Sequence, residues 1–168
     1  MDDALALSAF CREVYPRLVG ALSLHCGDHA LAEQVADEAV ARVCRDWNRV
    51  RSSENPAGWA YRCAINLANS HFRRLAAERR ARARLAHTAD AYEPDVATVV
   101  TVRRLVAALP RREKTALILR YYLDLSVRET ADLMGCPEGT VKTLTRRANQ
   151  ALRRELEPER ESEVRSGS

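Results

Sequence analysis

From Glu138 to Arg147 the chain reads EGTVKTLTRR. On a helix, Lys142, Arg146 and Arg147 would turn away from the apolar line of Val141, Leu144, Ala148 and Leu152. Cations on such a face can neutralise phosphates, and short polar side chains between them can meet base edges. A second basic cluster spans His71–Arg84, with Arg73, Arg74, Arg79, Arg80, Arg82 and Arg84 against one acid, Glu78. Just before it stand Asn55, Trp59, Asn66, Asn69, His71 and Phe72. Amide edges and aromatic planes are what an unstacked base requires, and arginines suit a displaced strand. The plainer alternatives are solvated helix faces, with Trp59 and Phe72 as ordinary core.

Other chemistries find less support. His25 and His29 stand four apart with Cys26 between them, but Gly27-Asp28 interrupts the helix that would make them a metal pair. Cys11, Cys26, Cys44, Cys63 and Cys136 are odd in number and widely spaced, without a C-x-x-C. They are expected to be small buried hydrophobes in a reducing cytosol, neither a disulfide framework nor a zinc site. No phosphate-binding glycine loop, nucleophile elbow or paired-carboxylate motif occurs. The expectation is a protein that is not an enzyme and that needs no metal or cofactor.

The chain has 168 residues, 46% apolar and only 5% aromatic, so it can hold one ordinary domain or two small ones. Gly and Pro are scarce, and the Ala, Leu and Arg content favours helices over strands. A net charge of +4 and a pI near 9.0 suit an anionic partner. Met1–Ala9 begins with two acids and lacks the basic start of a secretory signal. No apolar run approaches the ~20 residues that a membrane span needs. A cytoplasmic protein without a membrane partner is expected.

These side chains need helices to carry them. The spacing predicts a helix over Ala9–Leu24, with Phe10, Val14, Leu18 and Leu22 inward and Pro16 as a kink or restart. Gly27 suits a left-handed terminus, and Asp28 a cap for a second helix over Ala30–Trp47. Leu31, Val35, Ala39, Val43 and Trp47 form its apolar stripe. Arg49–Pro56 (RVRSSENP) reads as a polar loop. A third helix starts near Pro56, with Trp59, Cys63 and Leu67 on one line and Ala60, Ala64 and Ala68 beside it. Leu85–Val96 lacks periodicity and holds Asp90, Glu93 and Asp95, as a linker does. The helical pattern resumes with Val99, Val102, Leu105, Val106 and Leu109, and then over Arg111–Leu123, where Tyr122 is expected to face inward.

The stretch LSVRETADLMGCPEGTVK has the form of a helix-turn-helix. Ser126 and Glu129 make a capping box, Gly135 supplies the turn, and Pro137 opens the second helix. Ala131, Gly135 and Val141 have the small, glycine and apolar spacing of the motif. The second helix can enter a major groove. The alternative is an ordinary helical hairpin with a solvated outer face.

The expected fold is therefore all-α: two small helical modules joined by a flexible linker, the second a helix-turn-helix domain. The parts are 1–84, a linker at 85–98, a second module at 99–156 and a disordered polar tail at 157–168.

Leu109–Arg154 (LPRREKTALILRYYLDLSVRETADLMGCPEGTVKTLTRRANQALRR) resembles region four of bacterial sigma factors. GDHALAEQVADEAVARV and NPAGWAYRCAINLANSHFRR resemble region two. Nothing resembling regions one or three accompanies them. That plan is similar to the extracytoplasmic-function, or group four, sigma factors. The resemblance implies that 1–84 is region two and 99–156 region four. It implies an alternative sigma factor, whose partners are core RNA polymerase through its β′ and β subunits and promoter DNA. An anti-sigma factor is left open as a further partner. The helix matching Glu33–Trp47 would dock on the β′ coiled coil through Glu33, Asp37, Glu38, Val40 and Arg42. The family usually carries Gln where Asp37 stands and a bulky aromatic where Val40 stands. The loop matching Arg49–Pro56 would capture a flipped base of the −10 element. The helix after it would contact and open that element, with Asn55, Trp59, Arg62, Asn66, Asn69, His71, Phe72, Arg73 and Arg74 as the site. The −35 element would be read as duplex by Arg128, Glu138, Gly139, Thr140, Lys142, Thr143, Arg146 and Arg147.

The spans are compatible. Elements about 17 base pairs apart lie roughly 58 Å from each other at ~3.4 Å per step. A tether of about 14 residues reaches at most ~50 Å, and the modules add their own width. Two weak grips then reinforce each other through effective concentration. The rival reading is a stand-alone helix-turn-helix regulator, which should instead show a ligand pocket or a dimer seam in its amino-terminal half.

Overall fold

Gly27 and Asp28 make the first corner of the chain. Gly27 takes φ 73°, in the left-handed region open to a residue without Cβ, and follows α1 (Asp2–Cys26). Asp28 Oδ1 then accepts the Leu31 amide at 3.1 Å and starts α2 (His29–Arg45). The structure, a computed structural model, describes residues 2–85 and 101–156, and within them it is all helical. No helix among the described residues is long and apolar enough to cross a membrane.

α1 begins seven residues before the expected start and runs through Pro16 without a break. Its first turn is tied down, because Asp3 accepts the Trp47 indole N–H at 3.3 Å and pairs with Arg51 at 3.1 Å. Burial of Val14, Leu18 and Leu22 on the inner face offsets the bond that Pro16 cannot donate.

The stretch read as a polar loop differs from expectation. α2 stops at Arg45, and Trp47–Arg51 forms a short helix, α3. Its Val50 is 0% exposed, and the Trp47 ring lies 5.3 Å from Phe10. Burying those two apolar side chains outweighs the loop preference of their polar neighbours. Pro56 then opens α4 (Pro56–Leu85), whose buried line is Ala60, Tyr61, Ala64 and Ala68. Ala32, Ala36 and Ala39 of α2 are buried in the same core, and small residues on both sides let the two backbones approach closely.

The second half comprises α5 (Thr101–Ala108), α6 (Arg111–Leu117), a π-helical turn (Ile118–Tyr122), α7 (Val127–Met134) and α8 (Glu138–Leu156). The π turn was not foreseen. Its widened ring closes with the Leu123 amide on the Ile118 carbonyl at 3.0 Å, and Arg120 reaches the Leu125 carbonyl. The extra residue turns Tyr122 outward, 45% exposed, while Ile118 and Leu119 stay buried. The helix-turn-helix follows its sequence pattern. Glu129 N–H bonds Ser126 Oγ at 3.1 Å, Ser126 N–H bonds Glu129 Oε2 at 2.8 Å, and Gly135 takes φ 59°.

Ile118, Leu119, Leu123 and Leu125 join the same buried cluster as Leu18, Leu22, Ala64 and Ala68 of the first half. Arg17 adds a bond to the Leu123 carbonyl at 3.2 Å. The two halves therefore share apolar burial instead of meeting only through a tether. Residues 86–98 of the expected linker and the tail at 157–168 lie outside the described residues.

His25 sits in this seam, 2% exposed. Its Nε2 faces Asn69 Oδ1 at 3.4 Å, and its ring is 6.1 Å from Phe72. Burial lowers its pKa to about 4, helped by the positive charges of Lys114 and Arg111 and opposed by the Asn69 bond. The folded chain keeps His25 neutral where the unfolded chain, near 6.5, takes up a proton. Stability from this group is full above pH ~6.5 and is lost as pH falls toward 4. Between pH 7 and pH 5 the loss is about 2 kcal/mol. Urea titrations should show it, and His25→Gln should lose correspondingly less over the same range. Equal losses in both proteins would contradict the assignment.

The cysteines correct an expectation. All five are free thiols and none is fully buried: Cys44 is exposed and Cys11, Cys26, Cys63 and Cys136 are half-buried, because they fall at the edges of the helix stripes. Partial burial and the neighbouring Cys44 push the Cys11 thiol up to about 11, and burial pushes Cys26 to about 11. Both are protonated at neutral pH and are poor nucleophiles.

Candidate nucleic-acid interface

Val141, Leu144 and Ala148 hold α8 against the second module, so its opposite face is presented outward by the helical period alone. Glu138, Gly139, Lys142, Arg146 and Arg147 are exposed, Thr140 and Thr143 half-exposed. Thr143 Oγ1 donates to the Gly139 carbonyl at 3.0 Å, which orients its methyl and oxygen along the helix. A Cβ at Gly139 would meet nothing, so this end of α8 is open to a close approach. Arg128 is exposed on α7, in the helix that braces α8. The structure thus brings these residues together on one module.

A groove beside α8 adds Arg120, Tyr121 and Asn149, which the sequence reading missed. It is lined by Arg120, Tyr121, Lys142, Thr145, Arg146, Asn149 and Arg153. Tyr121 is 62% exposed, its hydroxyl takes a bond from Asn149 Nδ2 at 3.1 Å, and the Arg120 guanidinium lies 6.0 Å from its ring. The signal was the pair Tyr121-Tyr122 after Arg120, two rings in a chain otherwise poor in aromatics.

The residues expected on the first module divide between two faces of α4. Asn55, Trp59 and Arg62 line a cleft shared with Arg128, Glu129 and Asp132 of α7. Arg62, Asn66 and Asn69 line the next one along, with Arg111, Arg112 and Met134. Asn55 is the N-cap of α4: its Oδ1 accepts the Gly58 amide at 2.7 Å, while Nδ2 donates to Glu129 Oε1 at 3.1 Å. Arg62 donates to the Asp132 carbonyl. Phe72 is half-buried, with the Arg111 guanidinium 5.4 Å from its ring. His71 and Arg74 instead line a groove with Leu31, Gln34, Glu38 and Arg42 of α2, which Asn66 also borders. Arg73, Arg74, Arg79, Arg80 and Arg82 are exposed, and Arg73 bonds Ser70 Oγ at 3.1 Å.

The outer face of α2 carries Glu33, Asp37 and Glu38 in solvent. Tyr15 donates to Asp37 at 2.9 Å, Arg42 pairs with Glu38 at 2.7 Å, and His29 approaches Glu33 at 3.5 Å. Val40 is half-buried and leans on the core beside them. His25 and His29 face different neighbours, Asn69 and Ser23, and do not converge.

Sequence profiles match both halves in order. Sigma-70 region 2 covers residues 10–78 and Sigma-70 region 4 covers residues 100–152. The RNA polymerase sigma-H factor of Pseudomonas aeruginosa is 29% identical over 173 residues, covering 93% of this chain and 89% of that protein. The ECF RNA polymerase sigma factor SigW of Bacillus subtilis is 29% identical over 140 residues, 74% of this chain and 75% of its own length. The ECF sigma factor SigC of Mycobacterium tuberculosis is 27% identical over 161 residues, 92% of this chain and 85% of that one. Among solved structures, the sigma factor RpoE of Bartonella quintana, crystallised with the anti-sigma factor NepR, superposes with a TM-score of 0.76. That match covers 91% of this chain and 98% of RpoE at 19% identity, and it shows the shared fold. With the two sigma regions matched in sequence and in order across most of its length, the chain belongs to the sigma-70 family, in its extracytoplasmic-function group.

Proposed function

We propose that this sigma factor binds core RNA polymerase through the outer face of α2 and selects promoters at two points. α8, with Arg128 of α7, holds the −35 element as duplex through Glu138, Gly139, Thr140, Lys142, Thr143, Arg146 and Arg147. The loop before α4 and the helix itself take the −10 element. Asn55, Trp59, Arg62, Asn66, Asn69 and Phe72 form one side of that contact, and His71, Arg73 and Arg74 supply the flank. The polymerase supplies the catalysis. The partners are core RNA polymerase and promoter DNA. An anti-sigma factor is a further partner class, as RpoE has in NepR.

The observation that carries this reading is the pairing of two separate basic surfaces with one acidic docking face. α8 and the carboxy-terminal half of α4 expose arginines, while α2 exposes Glu33, Asp37 and Glu38. Anionic DNA suits the first two and a basic protein surface the third.

Arg146 gives a direct test. It is exposed, one turn beyond Lys142, where a duplex backbone would pass. In holoenzyme assembled from the chain and core polymerase, Arg146→Ala should weaken binding to promoter duplex. A plot of log affinity against log salt should flatten by close to one unit. An unchanged slope with weaker binding would assign Arg146 to a base edge, and no change at all would remove it from the interface.

A further inference from the structure

α1 and α2 run antiparallel, and three contacts fix which of their residues face each other. Tyr15 donates to Asp37 at 2.9 Å, the Phe10 ring lies 5.3 Å from Trp47, and Asp3 pairs with Arg51 at 3.1 Å. A step back along α1 is therefore matched by a step forward along α2 and α3. Ala36, Ala39 and Val43 of α2 are buried in one core with Val14 and Leu18 of α1, and the small residues let the two helices lie close. Cys11 stands between Phe10 and Tyr15, and Cys44 between Asp37 and Trp47. That register sets the two thiols opposite each other. Their sulfurs meet, with the Cys11 S–H donating to Cys44 Sγ.

The two thiols differ in access. Cys44 is exposed and Cys11 is half-buried behind it. An oxidant in solvent therefore reaches Cys44 first. Cys11 is held up, to about 11, by burial first and then by the charge and the hydrogen bond of Cys44. The last two causes vanish once Cys44 no longer carries a thiolate, so oxidation of Cys44 makes Cys11 the readier to react. Cys26 and Cys63 have charged neighbours instead, Lys114 and Arg42.

We propose that Cys11 and Cys44 form a reversible dithiol–disulfide couple, a modification site for oxidants of the peroxide class that clasps α1 to α2. The Cys44 sulfur attacks one peroxide oxygen. An S–O bond forms, the O–O bond breaks, and the departing hydroxide leaves as water with the thiol's proton. Cys44 is then a sulfenic acid. The Cys11 sulfur attacks the Cys44 sulfur. The S–S bond forms, the S–O bond breaks, and the hydroxyl leaves as water with the Cys11 proton. Two thiols have given up two electrons, and one peroxide has become two waters. A dithiol reductant restores both thiols by exchange. The bond closes a loop of roughly 30 residues around the Gly27-Asp28 corner, which restricts the unfolded chain and leaves the folded one in place. The half of the molecule that carries α2 thereby becomes harder to unfold under oxidising conditions.

The test uses the full-length chain, reduced and then exposed to hydrogen peroxide. Non-reducing peptide mapping should recover one linked pair of peptides, Cys11 to Cys44. Cys26, Cys63 and Cys136 should still be alkylated by N-ethylmaleimide once the chain is unfolded. Oxidation should raise the urea midpoint by roughly 1 M, and dithiothreitol should reverse the rise. Cys44→Ser, at an exposed position, should form no bond and show no rise. Cys11→Ser should stop at the sulfenic acid, which dimedone traps on Cys44. A bond between any other pair of cysteines, a dimer joined through Cys44, or a midpoint that oxidation does not move would overturn the proposal. So would an equal rise in Cys44→Ser, or a Cys11→Ser protein whose Cys44 takes no dimedone.

Discussion

Charge reversal of Asp37 and Glu38 to Lys is expected to abolish retention on core RNA polymerase, a loss of 100-fold or more. Both carboxylates stand in solvent on α2, clear of the apolar core. At a protein interface, like charges brought together cost several kcal/mol, and on-rates fall as well. The change also leaves Arg42 beside a cation where it now has Glu38 at 2.7 Å. The fold should tolerate this, because an exposed i, i+4 pair adds little to stability. The Tyr15 bond to Asp37 is equally exposed. Thermal melting within a few degrees of the parent, with core polymerase lost from a pull-down, is the predicted pair of results. Undiminished retention would refute the docking face.

Val141→Asp should have the largest effect on the second module. Val141 is fully buried under α7, one turn from Leu144 and two from Ala148. A carboxylate there is taken out of water on the face that also buries Leu144 and Ala148, and an unpaired buried charge costs several kcal/mol. The second module's own cluster is small, built on Val106, Leu109, Leu117 and Ala148, so it has little reserve. Helical signal from this half should fall, and holoenzyme should lose its grip on −35 duplex altogether. Arg147→Ala, on the outer face of the same helix, should weaken DNA binding and leave the melting curve in place. If Val141→Asp binds duplex as the parent does, α8 is not seated by that residue.

Local chemistry made much of this molecule readable before the structure. The corner at Gly27-Asp28, the Ser126–Glu129 capping box and the left-handed Gly135 each depend on residues within a few positions of each other, so spacing alone announces them. Non-local packing was not readable. Val50 lies in the polar run RVRSSENP, yet the core beneath it draws Trp47–Arg51 into a helix. The π turn depends on how Ile118 and Leu119 meet α1, and no propensity encodes that registry. It also explains why Tyr122 faces out and Tyr121 joins the groove beside α8.

The candidate interface divides in the same way. The outer face of α8 follows from a 3.6-residue period against Val141, Leu144 and Ala148. The fate of Asn55 and Arg62 does not, since their partners Glu129 and Asp132 lie some 70 residues away: separations of 74 and 70 positions. A residue can be recognised as suited to DNA from its type and neighbours. Whether it is uncovered depends on where the second module comes to rest.

The most direct test of the central claim is transcription itself. The purified chain, added to core RNA polymerase that lacks any other sigma factor, should yield discrete run-off transcripts from a pool of genomic promoter fragments of the bacterium that encodes it. Sequencing their 5′ ends should reveal one shared pair of upstream elements. Core polymerase that makes no promoter-dependent product with any fragment, although the chain is folded, would contradict the account.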